Sequence, residues 1–246
     1  MLIVGNWKAY VETLTKAKAI MATAKRLAGK GSHEIVVAPP APFLGVVMSG
    51  KSKVGFAAQD LSLTTGGAET GEVTAAALSG AGVTYAIIGH SERRAKGETD
   101  AMISEKVRHA LAHKITPILC IGELTRDPDA RYLKRIREEI STVFAPLSAR
   151  ERLSLVIAYE PIWAIGKSAA DAITPMDLHE MVLYIRKVLG DFIPGKGPTK
   201  VRVLYGGSVE PGNARLLASG SDIDGFLVGR ASTDPTTFAA LVKAVS

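Results

Sequence analysis

Residues 153–168 read LSLVIAYEPIWAIGKS, and the order of residue types there points to one class of fold. Leu153 to Tyr159 is a run of strand-forming apolar residues that ends in one carboxylate, Glu160. Pro161 follows at once and, without a backbone N–H, cannot continue a sheet ladder. Ile162 to Gly166 is apolar and ends in glycine, yet a helical pattern resumes only near Pro175. An acid at the carboxyl end of a strand, before an apolar hinged loop, is where α/β proteins place chemistry. The loop is then expected to act as a lid that excludes water. A single Glu at a strand end is more often a solvated side chain, so the rest of the chain decides.

Outward from this stretch, short apolar runs alternate with longer helical patterns. Strand candidates begin at Leu2, Glu34, Val54, Val83, Ile115, Leu153, Lys200 and Ile223. Helices are expected around Thr13–Ala28, Thr99–His113, Ala130–Phe144, Pro175–Leu189 and Pro235–Val245. Met181, Ile185, Val188 and Leu189 fall at helical spacing. Thr174-Pro175 and Asp234-Pro235 each supply an N-cap followed by an N1 proline. Strands that are apolar throughout are buried on both faces, and alternation with helices forces parallel pairing through right-handed crossovers. Eight such units in 246 residues match the size of a (β/α)₈ barrel formed by the whole chain as one domain. The alternative, an open doubly wound sheet, usually carries G-x-G-x-x-G after its first strand, and that spacing is absent here.

Composition narrows the class further. With 47% apolar and 22% charged residues, the chain reads as a soluble globular protein. No apolar run approaches the ~18 residues of a membrane span, and the N-terminus lacks the basic region and cleavage site of a signal peptide. A single cysteine excludes an intrachain disulfide and fits a reducing cytoplasm. The net charge of +6 favours anionic partners. Basic residues interleave with acids, as in Arg135-Ile-Arg-Glu-Glu139, and aromatics make up 6%, so phosphorylated metabolites fit better than nucleic acid.

In a parallel barrel, the carboxyl ends of all strands open into one mouth. Those ends carry Asn6 to Lys8, Gln59-Asp60, the run from His90 to Arg94, Gly122-Glu123, Glu160, Gly206 to Ser208 and Gly229-Arg230. The glycine turns after the seventh and eighth strands, each ahead of a helix, suit a phosphate. Glu160, His90, Lys8 and Asn6 together offer a base, an electrophile, an ammonium and an amide. That set fits proton abstraction beside a carbonyl, with the resulting enediolate held by the cation and donors.

Three other motifs are read as structural. Residues 45–52 (GVVMSGKS) match a phosphate-loop pattern, but a helix-like segment precedes them and a strand follows, the reverse of what the mechanism needs. His109 and His113 lack a third ligand and are expected on a solvated helix face. Cys120, inside a strand, behaves as a small apolar residue.

Taken together, the residues resemble the triosephosphate isomerase family. Residues 5–8 (GNWK), 88–94 (IGHSERR), 158–166 (AYEPIWAIG), 205–208 (YGGS) and 225–229 (GFLVG) match that family's motifs in order, across essentially the whole chain. The resemblance implies a TIM barrel that interconverts dihydroxyacetone phosphate and D-glyceraldehyde 3-phosphate, in glycolysis and gluconeogenesis, without cofactor or metal. It implies that Glu160 is the base, neutral His90 polarises the carbonyl, and Lys8 and Asn6 stabilise the oxyanion. Ser91 and Glu92 would hold His90 and Lys8. Backbone N–H groups of Gly166, Ser208, Gly229 and Arg230 would grip the phosphate. A homodimer is implied through residues 62–72, with Thr70 reaching the partner's site. The chain departs from the family pattern at Ala9-Tyr10, at Lys167-Ser168 in the lid, and at Arg230, where a second glycine is usual. The alternatives are another sugar-phosphate isomerase on a phosphate-binding barrel, or a non-catalytic phosphate-binding homologue. Retention of Glu160, His90 and Lys8 together argues against both.

Overall fold

Eight short parallel strands pair in sequence order, and the last closes onto the first. The coordinates are a computed structural model that describes residues 1–31, 33–166 and 173–246. The strands are β1 (Leu2–Asn6), β2 (Glu34–Ala38), β3 (Gly55–Ala58), β4 (Tyr85–Ile88), β5 (Thr116–Ile121), β6 (Val156–Tyr159), β7 (Arg202–Tyr205) and β8 (Gly225–Val228). The larger helices are α1 (Leu14–Lys30), α2 (Ala41–Val47), α3 (Ala75–Gly80), α4 (Ser91–Arg94), α5 (Asp100–Ala112), α6 (Arg131–Phe144), α7 (Ala149–Arg152), α8 (Pro175–Gly190), α9 (Pro211–Gly220) and α10 (Pro235–Ala244). The fold is the expected (β/α)₈ TIM barrel.

Alternation along each strand sorts the core into two sets. Leu2, Val4, Val36, Ala38, Ala57, Ile87, Ile118, Cys120, Val156, Ala158, Leu204 and Leu227 cluster together and fill the barrel. Their neighbours, such as Ile3, Val37, Ile88, Leu119, Ile157, Val203 and Phe226, join the helices in a second, larger cluster outside it. Apolar burial on both faces explains why the strands read as continuous apolar runs.

The capping signals do what the sequence implies. The Thr174 hydroxyl accepts from the Asp177 N–H at 3.1 Å, and Asp234 accepts from the Thr237 N–H at 2.7 Å. Two expectations need correction. Leu153 to Leu155 do not pair in β6, because Ser148 and Glu151 form a capping box that starts α7, and Leu153 terminates that helix. His109 is not solvated: its side chain is 15% exposed and stands 3.0 Å from Glu105. The match at residues 45–52 has Gly45 inside α2, with β3 following, so its order is indeed the reverse of a phosphate loop.

Candidate active site

The inward set of each strand continues past the strand end and lines the mouth. Two residues beyond Val4 is Asn6, beyond Ala57 is Gln59, and beyond Ala158 is Glu160; beyond Ile87, Cys120, Leu204 and Leu227 are Gly89, Gly122, Gly206 and Gly229. Glycines thus stand on four strands where polar side chains reach in from three others, which leaves room for them. A Cβ on Gly122 would lie 1.8 Å from the carbonyl oxygen of Glu160, and one on Gly206 would lie 2.8 Å from Glu160 Cγ.

Glu160 is 2% exposed. Its Oε2 accepts from the Ser91 N–H at 3.1 Å, and its buried Oε1 makes no hydrogen bond although His90 Nε2 is 3.3 Å away. A buried carboxylate oxygen without a partner is free to accept a proton from a bound molecule. His90 Nδ1 accepts the N–H of Glu92 at 3.1 Å. With Nδ1 as acceptor, the imidazole is neutral and its proton sits on Nε2, which faces the mouth. Gly89, at φ 74°, turns the chain so that His90 enters there.

Lys8 has a left-handed backbone, φ 46°, which costs a residue with a Cβ roughly 1–2 kcal/mol. Two contacts hold it there. Its N–H donates to Asn6 Oδ1 at 3.0 Å, and its carbonyl accepts from Gln59 Nε2 at 2.9 Å. The Lys8 ammonium pairs with Glu92 at 2.7 Å. Partial burial of Glu92 pushes its carboxyl up, but the hydrogen bond and charge of Lys8 outweigh this and hold it below the ordinary glutamate value.

Behind Glu160 lies a second layer. Buried Glu123 accepts from Tyr159 OH at 2.8 Å and Trp163 Nε1 at 2.9 Å, which brackets Glu160 on both sides in sequence. The Arg126 guanidinium stacks 5.2 Å from the Trp163 ring and approaches Glu123 and Asp177 at 3.4 Å. Burial, then the Glu123 charge, pushes the Tyr159 phenol up, so it remains a donor. Burial and the Glu160 carboxylate likewise push the Cys120 thiol well up, which keeps it protonated and inert.

The residues expected to grip phosphate share this cavity. Gly166, Ser208, Gly229 and Arg230 line it together with Asn6, Lys8, His90 and Glu160, around about 90 Å³. Pro161 is followed by a 3-10 turn, Ile162–Ala164, rather than a loop, and the Ser208 hydroxyl donates to the Ala164 carbonyl at 2.9 Å. Lys167 and Ser168 lie outside the described residues. Thr70 stands apart, on the exposed segment of residues 65–73 and not in the mouth of its own chain. Ser91 makes its contact with Glu160, through backbone, rather than with His90.

In the sequence, Gln59 and Glu123 stand at strand ends with no motif that assigns them a task, and Arg126 carries no signal. For Gln59, its inward position after β3 was the available signal. Among the described residues, no three His, Cys, Asp or Glu side chains come together as metal ligands.

Comparison with known proteins gives a consistent result. The sequence model of the family described as Triosephosphate isomerase matches residues 1–245. The chain is 40% identical to the Triosephosphate isomerase of Symbiobacterium thermophilum over 250 aligned positions, covering 100% of this chain and 96% of that protein. It is 42% identical to that of Thermus thermophilus, covering 99% of this chain and 98% of the relative. For Moorella thermoacetica the identity is 38%, with 98% and 97% covered.

Proposed function

The chain belongs to the triosephosphate isomerase family, and we propose that the mouth of its barrel interconverts dihydroxyacetone phosphate and D-glyceraldehyde 3-phosphate, the whole chain acting as one catalytic domain. The observation that carries this reading is the free Oε1 of buried Glu160, 3.3 Å from the Nε2 of neutral His90, with Lys8 in the same cavity. A ketose phosphate entering between the two side chains presents C1–H to Glu160 and its carbonyl oxygen to His90. Glu160 takes the proton, and the electron pair left on C1 forms the enediolate. The oxygen that gains charge is held by His90 Nε2–H, the Lys8 ammonium and the Asn6 amide. The C2 oxygen then takes up a proton, the C1 hydroxyl gives one up to become the aldehyde, and return of the proton from Glu160 to C2 completes the aldose.

Glu92 holds Lys8 through its carboxylate and His90 through its N–H. Ser91 parks the Glu160 carboxylate. The N–H groups of Gly166, Ser208, Gly229 and Arg230 are assigned to the phosphate. The apolar segment of residues 162–166 serves as the lid that keeps water from the enediolate. A homodimer through residues 62–72, with Thr70 reaching the partner, is supported by the exposed apolar Leu63 and Val73 in or beside that segment. Light scattering that gives a monomer mass at micromolar concentration counts against it. One cysteine in the chain supports a reducing cytoplasm.

A coupled assay of dihydroxyacetone phosphate conversion tests the reaction, with Glu160→Asp as control. Turnover by the wild type, and a large loss in the variant, is the expected result. No turnover, or an unchanged rate in Glu160→Asp, defeats the assignment.

A further inference from the structure

Arg230 stands on a wall whose other charges are already committed. It opens the 3-10 turn Arg230–Thr233 that follows β8. The backbone there is pinned: the Thr233 hydroxyl donates to the Arg230 carbonyl at 2.8 Å, and the Ser232 hydroxyl donates to that of Gly229 at 2.7 Å. Ala231, Ser232 and Thr233 are buried, whereas Arg230 is exposed and lines the cavity of Lys8, His90 and Glu160. A fixed anchor thus carries a long arm at the mouth. A Cβ on the adjacent Gly229 would lie 3.6 Å from Lys8 Cε, which places this turn beside the Lys8 side chain.

The charge balance around the cavity gives that arm a task. Lys8 and Arg230 are the cations among its lining residues, and Glu160 and Glu210 are the carboxylates. Lys8 is tied to Glu92 at 2.7 Å, and His90 is neutral because its Nδ1 accepts a hydrogen bond. Among the described residues, Arg230 is therefore the one lining cation without a carboxylate partner. An uncommitted positive group at the mouth adds long-range attraction for a dianion to what backbone N–H groups supply at contact.

We propose that the Arg230 guanidinium is a specificity-determining ligand for the phosphate dianion of the triose substrate. This rests on the isomerase reading above, and it concerns the side chain, not the backbone N–H. Guanidinium donors match phosphate oxygens in a charge-assisted fork. The guanidinium is assigned to capture of the dianion, a contact already made in the ground state, so its loss is expected in KM more than in kcat.

The test compares wild type with Arg230→Gln and Arg230→Lys, both of which keep the backbone N–H. In Arg230→Gln, KM for dihydroxyacetone phosphate is expected to rise about fivefold, the size of a partly screened ion pair. The competitive inhibition constant of inorganic phosphate is expected to rise with it, and the salt dependence of KM to flatten. Arg230→Lys is expected to recover part of the loss, since it keeps the charge without the fork. Unchanged KM and phosphate inhibition in a folded Arg230→Gln, or a loss confined to kcat, overturns the proposal and leaves the isomerase reading intact. Absence of turnover in the wild type overturns both.

Discussion

The α-carbon of Gly122 faces the carbonyl of Glu160 so closely that a Cβ there would sit 1.8 Å from the oxygen. The two residues follow neighbouring strands, β5 and β6, and the Glu160 N–H donates to the Ile121 carbonyl at 2.8 Å. The base is therefore positioned by backbone against backbone, and no side chain fits between.

This contact separates two glycine variants. Gly122→Ala must displace the Glu160 backbone, so both stability and rate are expected to fall, by about 1–3 kcal/mol from overpacking and about 10²-fold in kcat from a misplaced base. Gly206→Ala meets the Glu160 side chain at Cγ, 2.8 Å away, and is expected to cost kcat with a smaller change in Tm. Thermal melts and steady-state kinetics on both variants decide this. An active, wild-type-like Gly122→Ala would contradict the geometry.

Gln59 is expected to act as a positioning residue for Lys8. Its Nε2 donates to the carbonyls of Lys8 and Ala38, each at 2.9 Å. Gln59→Leu leaves the Lys8 carbonyl unpaired, at a cost of about 1–3 kcal/mol, while the Ala38 carbonyl still accepts from the Trp7 N–H at 3.1 Å, and it releases the left-handed turn at Lys8. The expected result is a kcat/KM lowered by roughly tenfold, the equivalent of about 1.4 kcal/mol. Equal losses in Gln59→Leu and in the double variant Gln59→Leu/Lys8→Met, measured against their Gln59 parents, would show that Gln59 acts independently of Lys8.

The Lys8–Glu92 pair gives a pH signature. The folded carboxyl lies below its ordinary value, the upward push of partial burial being outweighed by Lys8. Its contribution to stability is thus fully present above the unfolded value, about 4.3, and is lost as pH falls through the lower folded value. The Tm difference between wild type and Glu92→Gln is expected to be constant and small near neutrality, since the Glu92 side chain is 58% exposed, and to shrink below about pH 4. A difference that grows toward acid would refute the sign.

Cys120 is expected to resist alkylation in the native protein. It is buried in the barrel, with its thiol pushed up by that burial and by Glu160. Iodoacetamide at pH 8 should modify it only as fast as the protein unfolds, and readily in denaturant. Fast modification of the folded protein would show an open path to the barrel interior.

Much of the fold was legible in the chain because it rests on local patterns. Eight apolar runs separated by helical periodicity imply parallel pairing and a closed barrel, and β1 to β8 pair in that order. The candidate site was legible for a related reason: Asn6, Glu160 and the glycines lie just beyond strand ends, where polar or small residues interrupt apolar runs. Tertiary closure decided the rest. Val156 begins β6, because Leu153 is used to end α7. His109 is largely covered on α5, next to the buried Lys106 and Ala110 and 3.0 Å from the partly exposed Glu105. The strained φ of Lys8, held by Gln59 from another strand, and the bracing of Trp163 by Glu123 and Arg126 join residues far apart in sequence. Periodicity specifies which face a residue occupies. Which side chain meets it there depends on how the strands are registered when the barrel closes, and that is set by packing among all eight at once.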